Sequence, residues 1–124
     1  MPARRRDTVL EALERLRKIE PHVTFMHALT FLYVAENEGL NVSELAMICR
    51  TSRATASRNA RGLGDRSATG ALAPYAGLIE QRQNPASAHG RLLFLTAAGR
   101  QLRDDIDGLI GESRRIAPAE NATA

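Results

Sequence analysis

The feature that most constrains the fold is a pair of helix-capping serines, Ser43 and Ser52, each followed by a short helix-forming segment. A serine hydroxyl at this position accepts a hydrogen bond from an otherwise unpaired N–H of the first helical turn. The first segment runs to Cys49 and the second from Arg53 to about Leu63, so the connection between them is very short. Ala46 is small enough to let two crossing helices approach closely. The sequence therefore predicts a helix-turn-helix over residues 43–63.

The second helix of this pair is expected to have one apolar face and one basic face. The residues placed to share a core are Leu45, Ile48, Ala56, Ala60 and Leu63. The residues left facing outward are Arg53, Ala54, Ser57, Arg58 and Arg61. Guanidinium groups can read guanine, a serine can bond bases or phosphate, and an alanine methyl can touch thymine. Thr51 and Ser52 could hold a phosphate at the helix start. An ordinary solvated helix face is the alternative.

A β-hairpin is predicted directly after the helix-turn-helix, over residues 78–95. Leu78–Gln83 and Arg91–Leu95 have strand-like composition, and the segment between them is rich in turn-forming residues. Arg82 and Arg91 flank the turn. A hairpin in this place is called a wing, and wings carry basic residues to the DNA backbone or the minor groove. The hairpin therefore favours DNA binding over a merely solvated helix face.

The charge of the chain is concentrated in the same region. The whole chain has a net charge of +3, whereas residues 50–77 carry five arginines against Asp65, a net +4. Residues 78–100 add a further +2. Arginine suits two-point contact with phosphate or guanine. A coding bias toward arginine explains the choice over lysine, but it does not explain the clustering.

Further helices are predicted on both sides of this region. Asp7 caps a helix that runs to about Ile19, and Thr24 to Asn37 form a second helix, with a turn at residues 38–41. Thr96 caps a final helix. The apolar face predicted for the second helix consists of Phe25, Ala28, Leu29, Leu32 and Ala35. We thus expect a mainly α fold with a small β-hairpin: a flexible basic tail at 1–6, one domain at 7–116, and a disordered tail at 117–124.

Four short runs resemble the MarR-type winged-helix regulators over Thr24 to Asp105, about two thirds of the chain. They are Val42-Ser43-Glu44-Leu45-Ala46, Thr55-Ala56-Ser57-Arg58, Gly77-Leu78-Ile79-Glu80 and Leu95-Thr96-Ala97-Ala98-Gly99-Arg100. The resemblance implies a homodimer whose recognition helices read the major groove, with Arg91 at the minor groove. It also implies dimerisation through the first and last helices, which here offer Val9, Leu13, Leu16, Leu102, Ile106 and Leu109.

The chain departs from that family pattern at three places. His89 stands where the wing usually has an aspartate that supports its arginine. Arg50 stands where the turn often has glycine, and a left-handed backbone there costs an L-residue roughly 1–2 kcal/mol, so the turn is expected to differ. The loop at 64–77 is much longer than usual. Its Asp65-Arg66 and Tyr75 could contact DNA, the partner subunit or the wing.

Other classes of function have little support. A single cysteine, Cys49, excludes an internal disulfide, and a buried structural role is favoured over redox sensing. His22, His27 and His89 have no metal-ligand spacing, so neither a metal nor a cofactor is expected. No catalytic motif is present. No apolar run is long enough to span a membrane and no secretory signal is visible, so a soluble cytoplasmic protein is predicted.

The sequence thus predicts a homodimeric, sequence-specific regulator of transcription that binds double-stranded DNA and acts as a repressor by occupancy. The residues leave two other roles open for a winged helix. One is a different DNA transaction, such as plasmid or phage replication or partition, and the other is a protein-interaction module. A small-molecule effector of unknown identity is also left open.

Overall fold

The computed structural model describes residues 6–87 and 90–117. This part of the chain forms five helices and three short strands. They are α1 (Thr8–Ile19), α2 (Phe25–Glu36), β1 (Leu40–Asn41), α3 (Val42–Cys49), α4 (Arg53–Gly62), β2 (Ile79–Gln83), β3 (Arg91–Leu95) and α5 (Ala97–Glu112). The expected mainly α fold with a small hairpin is confirmed. The predicted basic tail, apart from Arg6, the role of His89 and most of the predicted C-terminal tail lie outside the described residues.

Side-chain caps place four of the helix starts where the sequence predicts them. Asp7, Thr24, Ser52 and Thr96 each accept a hydrogen bond from a backbone N–H of the first turn of α1, α2, α4 and α5. Such a bond satisfies a donor that the helix itself cannot pair, at a typical gain of about 1 kcal/mol. These boundaries depend on neighbouring residues alone, which is why the sequence predicts them.

The start of α3 differs from the prediction that Ser43 caps it. Asn41 is the cap: its Oδ1 accepts from the N–H of Glu44 at 2.8 Å, and Glu44 Oε1 accepts from the N–H of Asn41 at 2.9 Å. This reciprocal pair satisfies two donors at once, whereas a serine cap at Ser43 would satisfy one. The helix-turn-helix therefore begins at Val42, and Ser43 is an exposed residue of its first turn.

The predicted hairpin belongs to a three-stranded antiparallel sheet with the order β1-β3-β2. β2 and β3 pair from Ile79 opposite Leu95 to Gln83 opposite Arg91. The two-residue strand β1 pairs with the other edge of β3, where the sequence indicated only a turn. Strand β1 arises from long-range pairing, so local composition carries no sign of it.

The face of α2 that enters the core agrees with the predicted one at Ala28, and Ala35 packs against the core, but it differs at Phe25 and Leu32. His27, Ala28, Thr30, Phe31 and Val34 are buried, whereas Phe25 is 73% exposed and Leu32 41% exposed. The two buried polar residues are hydrogen-bonded to nearby residues of the chain: Thr30 Oγ1 donates to the carbonyl of Met26, and His27 Nδ1 accepts from the N–H of Thr24. The helix is apolar on most sides, so periodicity alone did not fix which side is buried.

One apolar core joins all of these elements. It contains residues from every helix and strand, among them Leu16, Phe31, Leu45, Leu63, Leu93 and Leu102. Ile48, which the sequence places in this core, is 38% exposed at the end of α3, while Ala46 is buried at the crossing with α4. Of the described helices, none is long and apolar enough for a membrane span.

Candidate nucleic-acid interface

Small residues on one side of α4 pack against the core, and this packing leaves the opposite side of the helix facing solvent. Ala56 and Ala60 are each only 1% exposed, so α4 packs closely against α2 and α3. Gly62 ends the helix against the ring of His27, where an added Cβ would lie only 2.6 Å from Nε2. Ala56, Ala60 and Leu63 are buried as predicted, and of the five residues predicted to face outward Arg53, Ala54 and Arg58 are exposed, whereas Ser57 and Arg61 are half-buried.

The turn between α3 and α4 is held by the backbone. Arg50 adopts the left-handed conformation, with φ 54° and ψ 48°. Its N–H bonds to the carbonyls of Ala46 and Met47, and the N–H of Thr51 bonds to the carbonyl of Ala46 at 3.0 Å. The expectation that the turn would differ because of Arg50 is wrong. The hydrogen bonds that close the helix end hold an arginine in the geometry that favours glycine.

The two arginines of the wing have different surroundings. Arg82 donates to Glu80 Oε1 at 3.0 Å, and its guanidinium carbon lies 4.1 Å from the centre of the Phe94 ring. Arg82 is therefore held against the hairpin itself. Arg91 is exposed, and within residues 6–87 and 90–117 it has no carboxylate partner. Its charge is available to a ligand.

A groove of about 350 Å³ lies between α4 and the wing. Its basic lining consists of Arg53, Arg61 and Arg91, and its neutral polar lining includes Ser43, Ser57, Thr69 and Gln81. None of the described residues that line it carries a carboxylate. We call this space the basic groove. The adjoining pocket, which shares Arg61, Thr69, Gln81 and Arg91 with the groove, also contains Glu80, whose carboxylate is paired with Arg82. Three guanidinium groups, hydroxyls and the amides of Asn41 and Gln81 fit an anionic ligand with many acceptors, such as a phosphodiester backbone.

The long loop after α4 contributes to the wall of this groove. Thr69 and Gly70 lie beside Arg61, whose Nε donates to the carbonyl of Gly70 at 2.6 Å. The sequence indicated only that the loop is unusually long. Thr69, Gly70, Gln81 and Ser43 were not predicted as site residues, because their place in the groove depends on how loop and hairpin pack.

Sequence comparisons give no match, either to a protein-family model or to a curated protein. Solved structures do match. The S. aureus MepR–DNA complex aligns with a TM-score of 0.65 at 18% identity, over 84% of this chain and 76% of that one. RV1404 from Mycobacterium tuberculosis aligns with a TM-score of 0.62 at 19% identity, over 82% and 62%. A MarR transcriptional regulator from Methanosarcina mazei Go1 aligns with 0.59 at 17%, over 85% and 70%.

The chain has the MarR-type winged-helix fold. The resemblance stated from the four sequence runs is thereby confirmed at the level of the fold. The chain spans less than two thirds of the RV1404 chain, 62% of its length.

Within this winged-helix fold, α1 packs alongside α5. The N–H of Thr8 bonds to the carbonyl of Arg114 at 3.1 Å, and the N–H of Arg114 bonds to Thr8 Oγ1 at 2.6 Å. Of the six residues predicted for a dimer interface, Leu16, Leu102 and Leu109 are buried within the chain, and Ile106 is half-buried. Val9 is 57% exposed and Leu13 48% exposed. Other exposed apolar residues of the same two helices are Leu10, Ile19 and Ile110, and Ile116 follows α5.

Two further groups lie away from the basic groove. His27 is buried on α2, and its Nδ1 accepts from the N–H of Thr24 at 3.0 Å; burial lowers the pKa of this imidazole. Cys49 is half-buried, and burial raises the pKa of its thiol, which lowers the thiolate fraction needed for redox chemistry. In the described residues no group of three or more His, Cys, Asp or Glu side chains could hold a metal ion.

Proposed function

We propose that this chain is a sequence-specific regulator of transcription that binds double-stranded DNA as a homodimer and represses by occupying its site. The observation that carries the proposal is the basic groove, which lies between an exposed arginine-bearing helix and an exposed wing arginine and is lined by no described carboxylate. A non-enzymatic role in the cytoplasm follows from this function. The fold is shared with MepR, which was solved in complex with DNA, and this likeness supports the proposal.

The residues of α4 divide by the part of DNA that they would meet. Arg53, Ala54, Ser57 and Arg58 face outward and are proposed to contact base edges in the major groove. Thr51 and Ser52 stand at the positive end of α4 and are proposed to bind a phosphate there. The Ser52 hydroxyl donates to Thr55 Oγ1 at 3.0 Å, so a phosphate would replace Thr55 as the acceptor of this hydroxyl. Arg91, exposed and without a described carboxylate partner, is proposed to reach the minor groove or the adjacent backbone.

Arg61 and Arg82 stay in the proposed interface with a narrower role. Arg61 is bonded to the carbonyl of Gly70 in the loop, and Arg82 is bonded to Glu80 and lies over the Phe94 ring, whereas Arg58 donates to Thr55 Oγ1 one turn earlier in its own helix. A guanidinium has five N–H donors, so a single protein bond leaves donors for a phosphate. We propose that both arginines add positive charge at fixed positions rather than read bases.

A homodimer is proposed because a second copy of the chain would remove the exposed apolar side chains of α1 and α5 from water. Val9 and Leu13 lie on one of these helices and Ile110 on the other. The other residues predicted for this interface are buried or half-buried, and they would pack beneath the exposed ones and hold α1 and α5 in place: Leu16, Leu102, Ile106 and Leu109. Two recognition helices related by a twofold axis would read half-sites about one helical turn apart.

The test is the binding of the purified protein to two fluorescent duplexes across a salt series. One duplex carries the DNA upstream of its own coding sequence and the other a random sequence. We expect log affinity to fall steeply with log salt, by roughly 0.9 per phosphate bound, and we expect the upstream duplex to be preferred. Steep binding without preference would favour a different DNA transaction. An absence of binding to either duplex near physiological salt would contradict the proposal.

A further inference from the structure

The long loop between α4 and β2 is fastened to the end of α4 by its backbone. The N–H of Leu72 bonds to the carbonyl of Arg61 at 2.9 Å, that of Ala76 to the carbonyl of Gly62 at 3.2 Å, and that of Gly77 to the carbonyl of Gly64 at 3.2 Å. Leu72 adds a further donor to the carbonyl of Arg61, which also accepts from the N–H of Gly64, and Ala76 pairs the carbonyl of Gly62 at the end of the helix. The loop therefore has a defined position beside the recognition helix.

The charged residues of the loop are turned away from the basic groove. Asp65 accepts from the backbone N–H of Ser67 through its side chain and from that of Ala68 through its carbonyl. The guanidinium carbon of Arg66 lies 4.3 Å from the centre of the Tyr75 ring, at a separate pocket that also contains His27. The loop thus brings no carboxylate to the groove.

The tip of the loop is the part that faces the groove. The bond from Arg61 Nε to the carbonyl of Gly70 holds the tip against α4, and Thr69 and Gly70 line the groove together with Arg53 and Arg91. Both tip residues are exposed. In the described part of the chain, the backbone N–H groups of Thr69 and Gly70 have no protein acceptor. The tip thus offers a hydroxyl and two N–H donors next to arginine charges.

We propose that the loop tip, Thr69–Gly70, is a third DNA-contacting element that binds a backbone phosphate between the recognition helix and the wing. Neutral donors next to fixed guanidinium groups are a common arrangement for phosphate oxygens. Arg61 acts as a positioning residue, because its bond to Gly70 sets where the tip stands. The inference rests on the proposed function, since the phosphate belongs to the DNA that α4 and the wing would bind.

The experiment compares Thr69→Glu with a matched control, Ser67→Glu, in the full-length protein. Both changes add one carboxylate to the same loop, but Ser67 does not line the basic groove. On a random-sequence duplex in about 100 mM salt, we expect Thr69→Glu to weaken binding at least tenfold and Ser67→Glu by less than about threefold. The slope of log affinity against log salt is expected to become shallower for Thr69→Glu by about 0.9 for each phosphate that the variant no longer binds.

A second pair of variants decides the matter if Thr69→Glu perturbs folding. Thr69→Val removes the hydroxyl without adding charge, and Thr69→Ser keeps it. We expect a loss of about threefold or more for the valine variant and wild-type affinity for the serine variant, at equal thermal stability. Equal effects of the two glutamate variants, or wild-type affinity of Thr69→Val, would overturn the loop proposal alone. If the wild-type protein binds no DNA, the proposed function falls and the loop proposal with it.

Discussion

Replacing Gly99 by alanine is expected to destabilise this fold, although Gly-to-Ala changes within helices usually stabilise. Gly99 lies in the first turn of α5, where an added Cβ would stand 2.2 Å from the carbonyl oxygen of Leu78. That oxygen accepts from the N–H of Thr96 at 3.0 Å, and Thr96 Oγ1 donates to the carbonyl of Gly77 at 2.7 Å. Relief of the clash must therefore move the backbone that leads into the wing.

The magnitude follows from the opposing contributions. Forced overpacking costs typically 1–3 kcal/mol, and the upper end applies because the neighbour is backbone. A weakened hydrogen bond adds about 1 kcal/mol, and the better helix propensity of alanine offsets about 1 kcal/mol. We expect a net loss of about 2–3 kcal/mol in the free energy of unfolding. Gly108, in the same helix, has nothing within 4 Å of an added Cβ, so Gly108→Ala should gain up to about 1 kcal/mol.

Urea denaturation followed by circular dichroism measures both variants at one fixed protein concentration, because association changes apparent stability. Gly99→Ala should lower the midpoint and Gly108→Ala should raise it, with unchanged slopes. A Gly99→Ala protein as stable as wild type would refute the close approach of α5 to the start of the wing. The close approach of the Leu78 carbonyl thus explains why a glycine stands in the run Leu95-Thr96-Ala97-Ala98-Gly99-Arg100.

Three further predictions test other parts of the structure. Arg50→Gly should raise the free energy of unfolding by about 0.5–1 kcal/mol, because glycine removes the left-handed strain of roughly 1–2 kcal/mol but loses more chain entropy on folding. The control Arg58→Gly, within α4, should lower the free energy of unfolding by about 1 kcal/mol. Urea titration of both variants measures the two changes. Burial lowers the pKa of His27 in the folded state, so the stability that the neutral ring contributes is present above the unfolded pKa of about 6.5 and is lost as the pH falls below it. His27→Gln keeps an acceptor for the N–H of Thr24 but does not titrate. The melting temperature of this variant should therefore change less between pH 7 and pH 5 than that of the wild type. In a binding titration, Arg58→Ala should reduce the preference for a specific duplex over a random one by about 1–3 kcal/mol. Arg91→Ala should weaken binding to the specific and the random duplex alike. Equal losses of affinity from both variants on both duplexes would contradict these roles.

Local signals predicted the parts of the fold that local chemistry decides. Asp7, Ser52 and Thr96 cap helices because each hydroxyl or carboxylate is next to the N–H that it satisfies. The small residues of α4 likewise predicted which side packs, because Ala56 and Ala60 recur one helical turn apart. The order of helix, turn, helix and hairpin was enough to predict the winged-helix fold.

The remaining features depend on contacts between distant residues. Leu40 is in a strand only because β3, with Leu93 opposite it, passes alongside. His27 is buried because its bond with Thr24 satisfies its ring nitrogen, which an apolar periodicity does not register. Thr69 reaches the basic groove because Arg61 holds the neighbouring Gly70, and no local pattern in the loop indicates that bond.

The central claim is that α4, the loop tip and the wing together form one DNA-binding surface. Hydrogen–deuterium exchange of the full-length protein, measured by mass spectrometry with and without a duplex, tests it most directly. DNA should slow exchange in peptides that cover α4, the Thr69–Gly70 tip and β3, and should leave exchange in α2 unchanged. Protection confined to α1 and α5, or unchanged exchange at saturating DNA, would contradict the claim.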